Sequence, residues 1–373
     1  MSIYFDNAAS TPISKEVLQD MMPYLTDYFG NPSSIHQDGR KVKTAIESAR
    51  KQVAKILNAS IGEIFFTSGG TESNNTALKS SVESLDIQRI ITSELEHPAI
   101  LNTINQLQKW HPIEVLYVNH NDVGQIDFDH LEHLLKKDNL KTLVSLMHGN
   151  NEIGTLLDLD RVSQLCQTYH AYFHTDAVQT VGHFNIDLQK TKIHFLSASA
   201  HKFHGPKGIG ILYINNDIQI DPLINGGGQE RNMRGGTENV AFIVGLASAL
   251  TYYNQNLTER RKYILDLKKY FIQCLDNQNI EYELNGSIEQ SLYTVLSLSF
   301  PRNAQSDMLL MLLDIDGVSV SGGSACSSGA EKASHVINAI HKNSNRRTIR
   351  FSFSHYNTKS EIETVIKLLK KYL

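Results

Sequence analysis

Ser197-Ala-Ser-Ala-His-Lys-Phe-His-Gly-Pro-Lys-Gly-Ile-Gly210 is the stretch from which the rest of the chain can be read. The apolar run Ile193 to Ala198 predicts a short buried strand. It stops at Ser199, His201 and Lys202, and Gly205-Pro206 and Gly208 then force an irregular path. Such a lysine is either a surface residue on a glycine-rich turn or the Schiff-base lysine of a pyridoxal phosphate site, where burial lowers the amine's pKa.

Upstream, Tyr172-Phe-His-Thr175 predicts another short strand with Asp176 at its end and Gln179 three residues on. A lone Asp there can be a turn or cap residue. Paired with Lys202, it suits the carboxylate that keeps a pyridine nitrogen protonated, and such groups collect at the carboxyl edge of an α/β sheet. Further back, Glu63-Ile-Phe-Phe-Thr67 predicts a strand and Ser68-Gly69-Gly70 a tight turn. A helix then starts at Thr71. Glycines let the backbone approach an anion, and a helix start offers free N–H groups, so this is a candidate phosphate cradle. It matches neither nucleotide glycine fingerprint.

Between these points the chain alternates. Strands are expected near 64–67, 88–92, 113–118, 142–147, 171–175, 193–198 and 209–214, with helical patterns between most of them. The implied class is α/β, a mostly parallel mixed sheet covered by helices. The strand at 209–214 follows the lysine strand so closely that it is expected as an antiparallel edge. Val17 to Tyr24 predicts a first helix, and apolar residues from Val42 to Leu57 recur at three- and four-residue steps.

Past Gly226-Gly-Gly228 the character changes. Helices are expected over 239–253 and 258–275, strands at 293–300, 317–320 and 347–353, and a terminal helix from Lys359 to Tyr372. This predicts a large domain over 14–252 and a smaller α+β C-terminal domain over 253–373. The N-terminal arm 1–13 is expected to fold back onto the smaller one.

Composition excludes several classes. The 373 residues are 41% hydrophobic and 20% charged, and a net charge of −4 leaves no basic footprint for direct nucleic-acid or membrane binding. No apolar run reaches the roughly 18 residues of a membrane span. The start, Met-Ser-Ile-Tyr-Phe-Asp, lacks the basic and apolar regions of a signal peptide, so the chain is expected to be cytoplasmic. Three widely spaced cysteines without CxxC argue against a disulfide framework or a zinc cluster, and no metal site is expected. Cys166 and Cys274 sit in helical, apolar patterns and read as packing residues. Cys326, in Ser321-Gly-Gly-Ser-Ala-Cys-Ser-Ser-Gly329, has no apolar periodicity around it and reads as an accessible thiol on a loop.

The order and spacing of several short tags resemble the cysteine desulfurases, in the class V aminotransferase branch of fold-type I pyridoxal phosphate enzymes. The tags are Asp6-Asn-Ala-Ala-Ser-Thr-Pro12, Gly30-Asn-Pro-Ser-Ser-Ile-His36, Phe66-Thr-Ser-Gly-Gly-Thr-Glu-Ser-Asn74, Glu96-His97 and Asn150-Asn-Glu-Ile-Gly154. They continue with His174-Thr-Asp-Ala-Val-Gln179, Arg231-Asn-Met-Arg-Gly-Gly-Thr237, Gly322-Gly-Ser-Ala-Cys-Ser-Ser328 and Ile349-Arg-Phe-Ser352. The match to Ser-Ala-Cys favours the long-loop subgroup. Ala200 stands where many relatives have Gly.

The resemblance implies a role for each position. Lys202 would hold pyridoxal 5'-phosphate, and Asp176 its ring nitrogen. His97 would lie over the ring and relay protons, while Asn151 and Gln179 contact the ring or its phenolic oxygen. Gly70, Thr71, Ser199 and His201 would bind the phosphate, joined by Thr237 from the other subunit of a homodimer. Arg350, the sole cation in the apolar-alternating strand Thr348 to Phe353, would clamp the substrate carboxylate, with Asn151 as a second substrate-binding residue. L-Cysteine would displace Lys202, whose freed amine takes the Cα proton, and Cys326 would attack the substrate sulfur. The implied products are L-alanine and a persulfide on Cys326. That sulfur would pass to an acceptor protein in iron–sulfur assembly, tRNA thiolation or thiamin synthesis. Other class V enzymes, a selenocysteine lyase or an aminotransferase, remain open at this point, and so does a non-catalytic sulfur relay.

Overall fold

The computed structural model describes residues 2–322, 334–342 and 344–373; Cys326 lies outside them. Seven strands form the main sheet, in the order Ile64–Thr67, Gly210–Ile214, Phe195–Ser199, Tyr172–Asp176, Thr142–Ser145, Arg89–Thr92, Glu114–Tyr117. Every neighbouring pair is parallel except the two made by Gly210–Ile214. Five of the other six strands are buried almost throughout, as the continuous apolar runs require when helices cover both faces of a sheet.

The expected antiparallel strand is present, but it is not an edge. Gly210–Ile214 lies between the lysine strand and Ile64–Thr67 and is buried along its whole length. Gly210 permits this insertion. A Cβ there would come within 2.6 Å of the Ala198 carbonyl oxygen and 2.7 Å of the Gly69 backbone.

Helices flank the sheet where the apolar periodicity places them. Lys15–Thr26 starts at Ser14, whose side chain accepts from the Val17 amide, and Gln37–Ile56 buries Val42, Ile46, Ala49 and Val53. Both pack against Val240–Gln255. Leu246, Ala247 and Leu250 of that helix join the core beneath the sheet.

A second core begins with the next helix, Leu257–Asn277. It holds Ile264, Leu267 and Phe271 against Ile362, Val365 and Leu369 of the helix Lys359–Tyr372. Three strands that lie between these helices in the chain form the antiparallel sheet Arg346–Ser352, Val295–Pro301, Glu283–Asn285. The N-terminal arm reaches this core. Ile3–Tyr4 pairs with Val318–Ser319, and the fully buried Phe5 ring meets Phe353 edge-on at 5.2 Å.

Candidate active site

The main sheet delivers polar residues to one edge. Ile64–Thr67, Arg89–Thr92, Thr142–Ser145, Tyr172–Asp176 and Phe195–Ser199 run the same way, and the segments leaving their carboxyl ends line a cavity of about 280 Å³. Gly70, Thr71, His97, Asn151, Asp176, Gln179, Ser199, His201, Lys202 and Arg350 all line it, so ten of the twelve expected positions converge. Thr237 does not. It is exposed on the loop after Gly226 and contributes nothing to the cavity of its own chain. The other position, Cys326, is outside the described residues.

Lys202 closes a single helical turn, Ala200–Lys202, directly after the strand that ends at Ser199. Its Nζ donates to the carbonyls of Ala8 at 2.6 Å and Ala9 at 2.9 Å. Gln179 Nε2 donates to the same Ala8 carbonyl at 3.0 Å. The arm thus forms one wall of the cavity, a role for Ala8 and Ala9 that the sequence reading missed. Two alanines offer only backbone groups, and nothing in their side chains signals this.

Asp176 is 6% exposed. Its Oδ2 accepts from Asn74 Nδ2 at 2.7 Å and its Oδ1 from the Val178 amide at 3.0 Å. Asn74 was also missed as a site residue, although its signal exists. It is a polar residue one turn into Gly70–Ser84, on a face otherwise buried by Ser73, Ala77 and Leu78. Glu96, 1% exposed, sits behind the carboxylate. Burial, with Asp176 as a nearby like charge, holds its pKa well above the usual carboxylate range, while its Oε1 accepts from the Met147 amide at 2.8 Å.

His97 caps the helix Pro98–Trp110, its Nδ1 accepting from the Ala99 amide at 3.1 Å. Burial lowers its pKa, followed by the charge of Lys202, against an opposing pull from Asp176. His201 is pushed down to about 4, by burial first and then by Lys202 and Lys207. Both imidazoles are therefore neutral near pH 7 and free to exchange protons or donate hydrogen bonds.

The anion cradle has the expected construction. Gly69 has φ +154°, which the following helix start requires, and Gly70 meets Val178 so closely that a Cβ would fall 2.5 Å from its Cγ2. Glu72 in the first turn accepts from the Ser68 amide and pairs with Arg234. Burial opposes its ionisation, yet the bonds from Arg234 and Ser68 hold its pKa below the usual range.

Arg350 enters from the second core. It is 1% exposed; Nη1 donates to the Asn151 carbonyl at 2.7 Å and Nη2 to Asp6 Oδ1 at 2.8 Å. Glu152 also lines the cavity; it is 2% exposed, and its Oε2 accepts from the Ser334 hydroxyl. The donor set of this cavity fits a cofactor that combines an anionic group for the helix start, a basic ring nitrogen for Asp176 and a carbonyl for the Lys202 amine.

Residues 3–365 match the family described as aminotransferase class-V, and the chain belongs to that family. Within it the likeness is to cysteine desulfurases. The chain is 42% identical over 375 residues to the cysteine desulfurase IscS of Dictyoglomus turgidum, an alignment covering 100% of this chain and 94% of that one. A solved NifS-like protein superimposes with a TM-score of 0.91 at 37% identity, covering 100% of this chain and 99% of the other. Another, SspA in complex with cysteine, gives 0.82 at 33% identity over 96% of this chain and 100% of its own.

Proposed function

We propose that this chain is a pyridoxal phosphate-dependent cysteine desulfurase, converting L-cysteine to L-alanine and passing the sulfur through Cys326 to an acceptor protein. The observation behind the proposal is the convergence of the Lys202 amine, the Asp176 carboxylate and the Gly70 helix start on one cavity that also contains a buried arginine. Family membership and the named relatives support the same reading.

When bound, the cofactor supplies an electron sink for the carbon that loses its proton. The residues of the chain do the remainder. Gly70, Thr71, Ser199 and His201 hold the phosphate. Asp176, which accepts from Asn74 Nδ2 and the Val178 amide, holds a proton at the ring nitrogen. Lys202 anchors the cofactor and, once released, moves the Cα proton, while His97 stands beside the ring as the second proton carrier. Asn151 and Gln179 orient the ring, and Arg350 fixes the substrate carboxylate. Cys326 Sγ bonds to the substrate sulfur as the substrate's Cβ–S bond breaks; the electron pair of that bond stays with the carbon skeleton, which leaves protonated as alanine.

The working enzyme is a homodimer in this reading, with Thr237 of each subunit serving the phosphate of the other. Leu18, Met22, Leu25, Phe29 and Ile35 are 44%, 45%, 55%, 86% and 91% exposed, an apolar surface of the kind a partner copy covers. In this reading the chain divides into a large domain over 14–252 and a smaller one over 253–373, joined by the arm 1–13; the separation of the two hydrophobic cores supports the division. Among the described residues no helix is long and apolar enough to cross a membrane. The test is alanine release from L-cysteine together with the intact mass of the protein. One added sulfur that is lost in the Cys326→Ser variant supports the proposal; alanine release without any protein-bound sulfur overturns it.

A further inference from the structure

Lys202 is also held from behind the cavity. Its backbone carbonyl lies 2.9 Å from His183 Nε2, and His183 Nδ1 lies 3.0 Å from the Tyr293 hydroxyl. A carbonyl oxygen only accepts, so Nε2 must carry a proton. Burial pushes the His183 pKa down to about 4, so the ring is neutral and Nδ1 presents a lone pair. Tyr293 must then be the donor. Its hydroxyl keeps its proton because burial, with Tyr253 beside it, raises its pKa well above the usual value. All three groups thus have fixed directions: Tyr293 donates to His183, and His183 donates to Lys202.

The surroundings hold this arrangement in place. His183 is 6% exposed and Tyr293 3%. The Tyr253 ring meets the imidazole edge-on at 4.9 Å. Gly182 has φ +82°, and a Cβ there would sit 2.8 Å from the Cβ of Phe203, the residue after Lys202. Only glycine lets the turn bearing His183 approach the lysine this closely. Tyr293 belongs to the second core, next to Val295–Pro301, so the hydrogen bonds run from that core to the lysine of the first. Neither His183 nor Tyr293 lines the cavity.

We propose that His183, its tautomer set by the Lys202 carbonyl and its ring held by the Tyr293 hydroxyl, is a positioning residue that fixes the Lys202 backbone so that the amine reaches the reacting carbon. The proposal rests on the reading of Lys202 as the cofactor lysine. In Tyr293→Phe Nδ1 loses its donor, and with it the bond that holds the imidazole ring against the Lys202 carbonyl. In His183→Leu the carbonyl loses this donor, whereas the amide of His183→Gln can restore it.

The experiment adds pyridoxal phosphate to the apo-form of each protein, quenches with borohydride at timed intervals and locates the label by peptide mass spectrometry. It also measures kcat and KM for L-cysteine, and the urea midpoint reports folding. The expected result for Tyr293→Phe is Lys202 labelling and kcat both slowed about 2- to 12-fold, the worth of one hydrogen bond, with KM unchanged. His183→Leu should be slower still, and His183→Gln should recover most of the difference at equal stability. Wild-type labelling rates in Tyr293→Phe and His183→Leu overturn the proposal, and so does His183→Gln behaving like His183→Leu. If the wild-type protein takes its label elsewhere than Lys202, the underlying reading of the lysine has failed, and this inference falls with it.

Discussion

Removing the Arg350 guanidinium should separate substrate binding from cofactor binding. In Arg350→Ala the loss has two parts, one from the proposed substrate contact and one from contacts within the chain. The first is the clamp. A charge-assisted bond to a carboxylate contributes about 1.5–3 kcal/mol, which predicts a KM for L-cysteine raised roughly 10- to 100-fold. The second is structural, because the Asp6 carboxylate and the Asn151 carbonyl each lose a donor, at 2.8 Å and 2.7 Å. The Asp6 side chain is 20% exposed and regains water in part, so the stability cost should be about 1–3 kcal/mol rather than that of a fully buried pair. Alanine release against cysteine concentration reads the first part, and urea unfolding reads the second. Asp6→Asn is the control. It retains an oxygen for Nη2, so it should lose stability while KM rises much less. Cysteamine, which lacks the carboxylate, should bind the wild-type protein and Arg350→Ala equally well. A folded Arg350→Ala with wild-type KM, or an equal loss of cysteamine binding, would refute the assignment of the clamp.

Three further expectations concern the thiols, the histidines and the assembly. Cys326→Ser should keep its cofactor and bind cysteine but form no persulfide. Cys166→Ser should be silent in sulfur chemistry, since Cys166 is 1% exposed and burial raises its thiol pKa; persulfide mass distinguishes the variants. His174, His183 and His204 are buried, and burial pushes their pKa values down to about 3, about 4 and about 3. They are neutral in the fold while the unfolded chain binds protons near the ordinary value of about 6.5. Their contribution is therefore complete above that pH, and each loses about 1.4 kcal/mol per pH unit as the pH falls from 6.5 towards 4. A urea midpoint that stays flat from pH 7 to pH 5 would contradict this. Sedimentation of dilute protein should show a dimer, and a fully active monomer would rule out the shared site.

How far the sequence could be read depended on whether a residue's role was set locally. Asp176 ends an apolar strand, and Lys202 and the Gly69-Gly70 turn each follow one by a few residues, so their arrival at one sheet edge follows from local pattern and the parallel topology. The position of Gly210–Ile214 in the sheet was not legible. Its closeness to the lysine strand predicts direction but not what pairs on its other side, which depends on Ile64–Thr67 far away in the chain. Asn74 and Glu152 were quoted only as parts of tags because their partners, Asp176 and Ser334, lie 102 and 182 positions away. The same distance hides His183 and Tyr293, which would pass for an ordinary turn residue and a core aromatic.

The arm shows why this matters for function. The Ala8 carbonyl receives both Lys202 and Gln179, while the Ala8 amide donates to Ser352 Oγ at 2.9 Å. Asn7 Nδ2 donates to the Ser352 carbonyl at 2.9 Å, and Asp6 pairs with Arg350. Three consecutive residues therefore bind the lysine side of the cavity to the strand that presents the arginine. Neither core alone fixes the distance between the Lys202 amine and the Arg350 guanidinium. The arm fixes it with backbone groups, one side-chain amide and one carboxylate, and a shift of the second core would displace Arg350 and the wall around Lys202 together. The spacing of Lys202 and Arg350 across the cavity is thus set by the segment with the least secondary structure of its own.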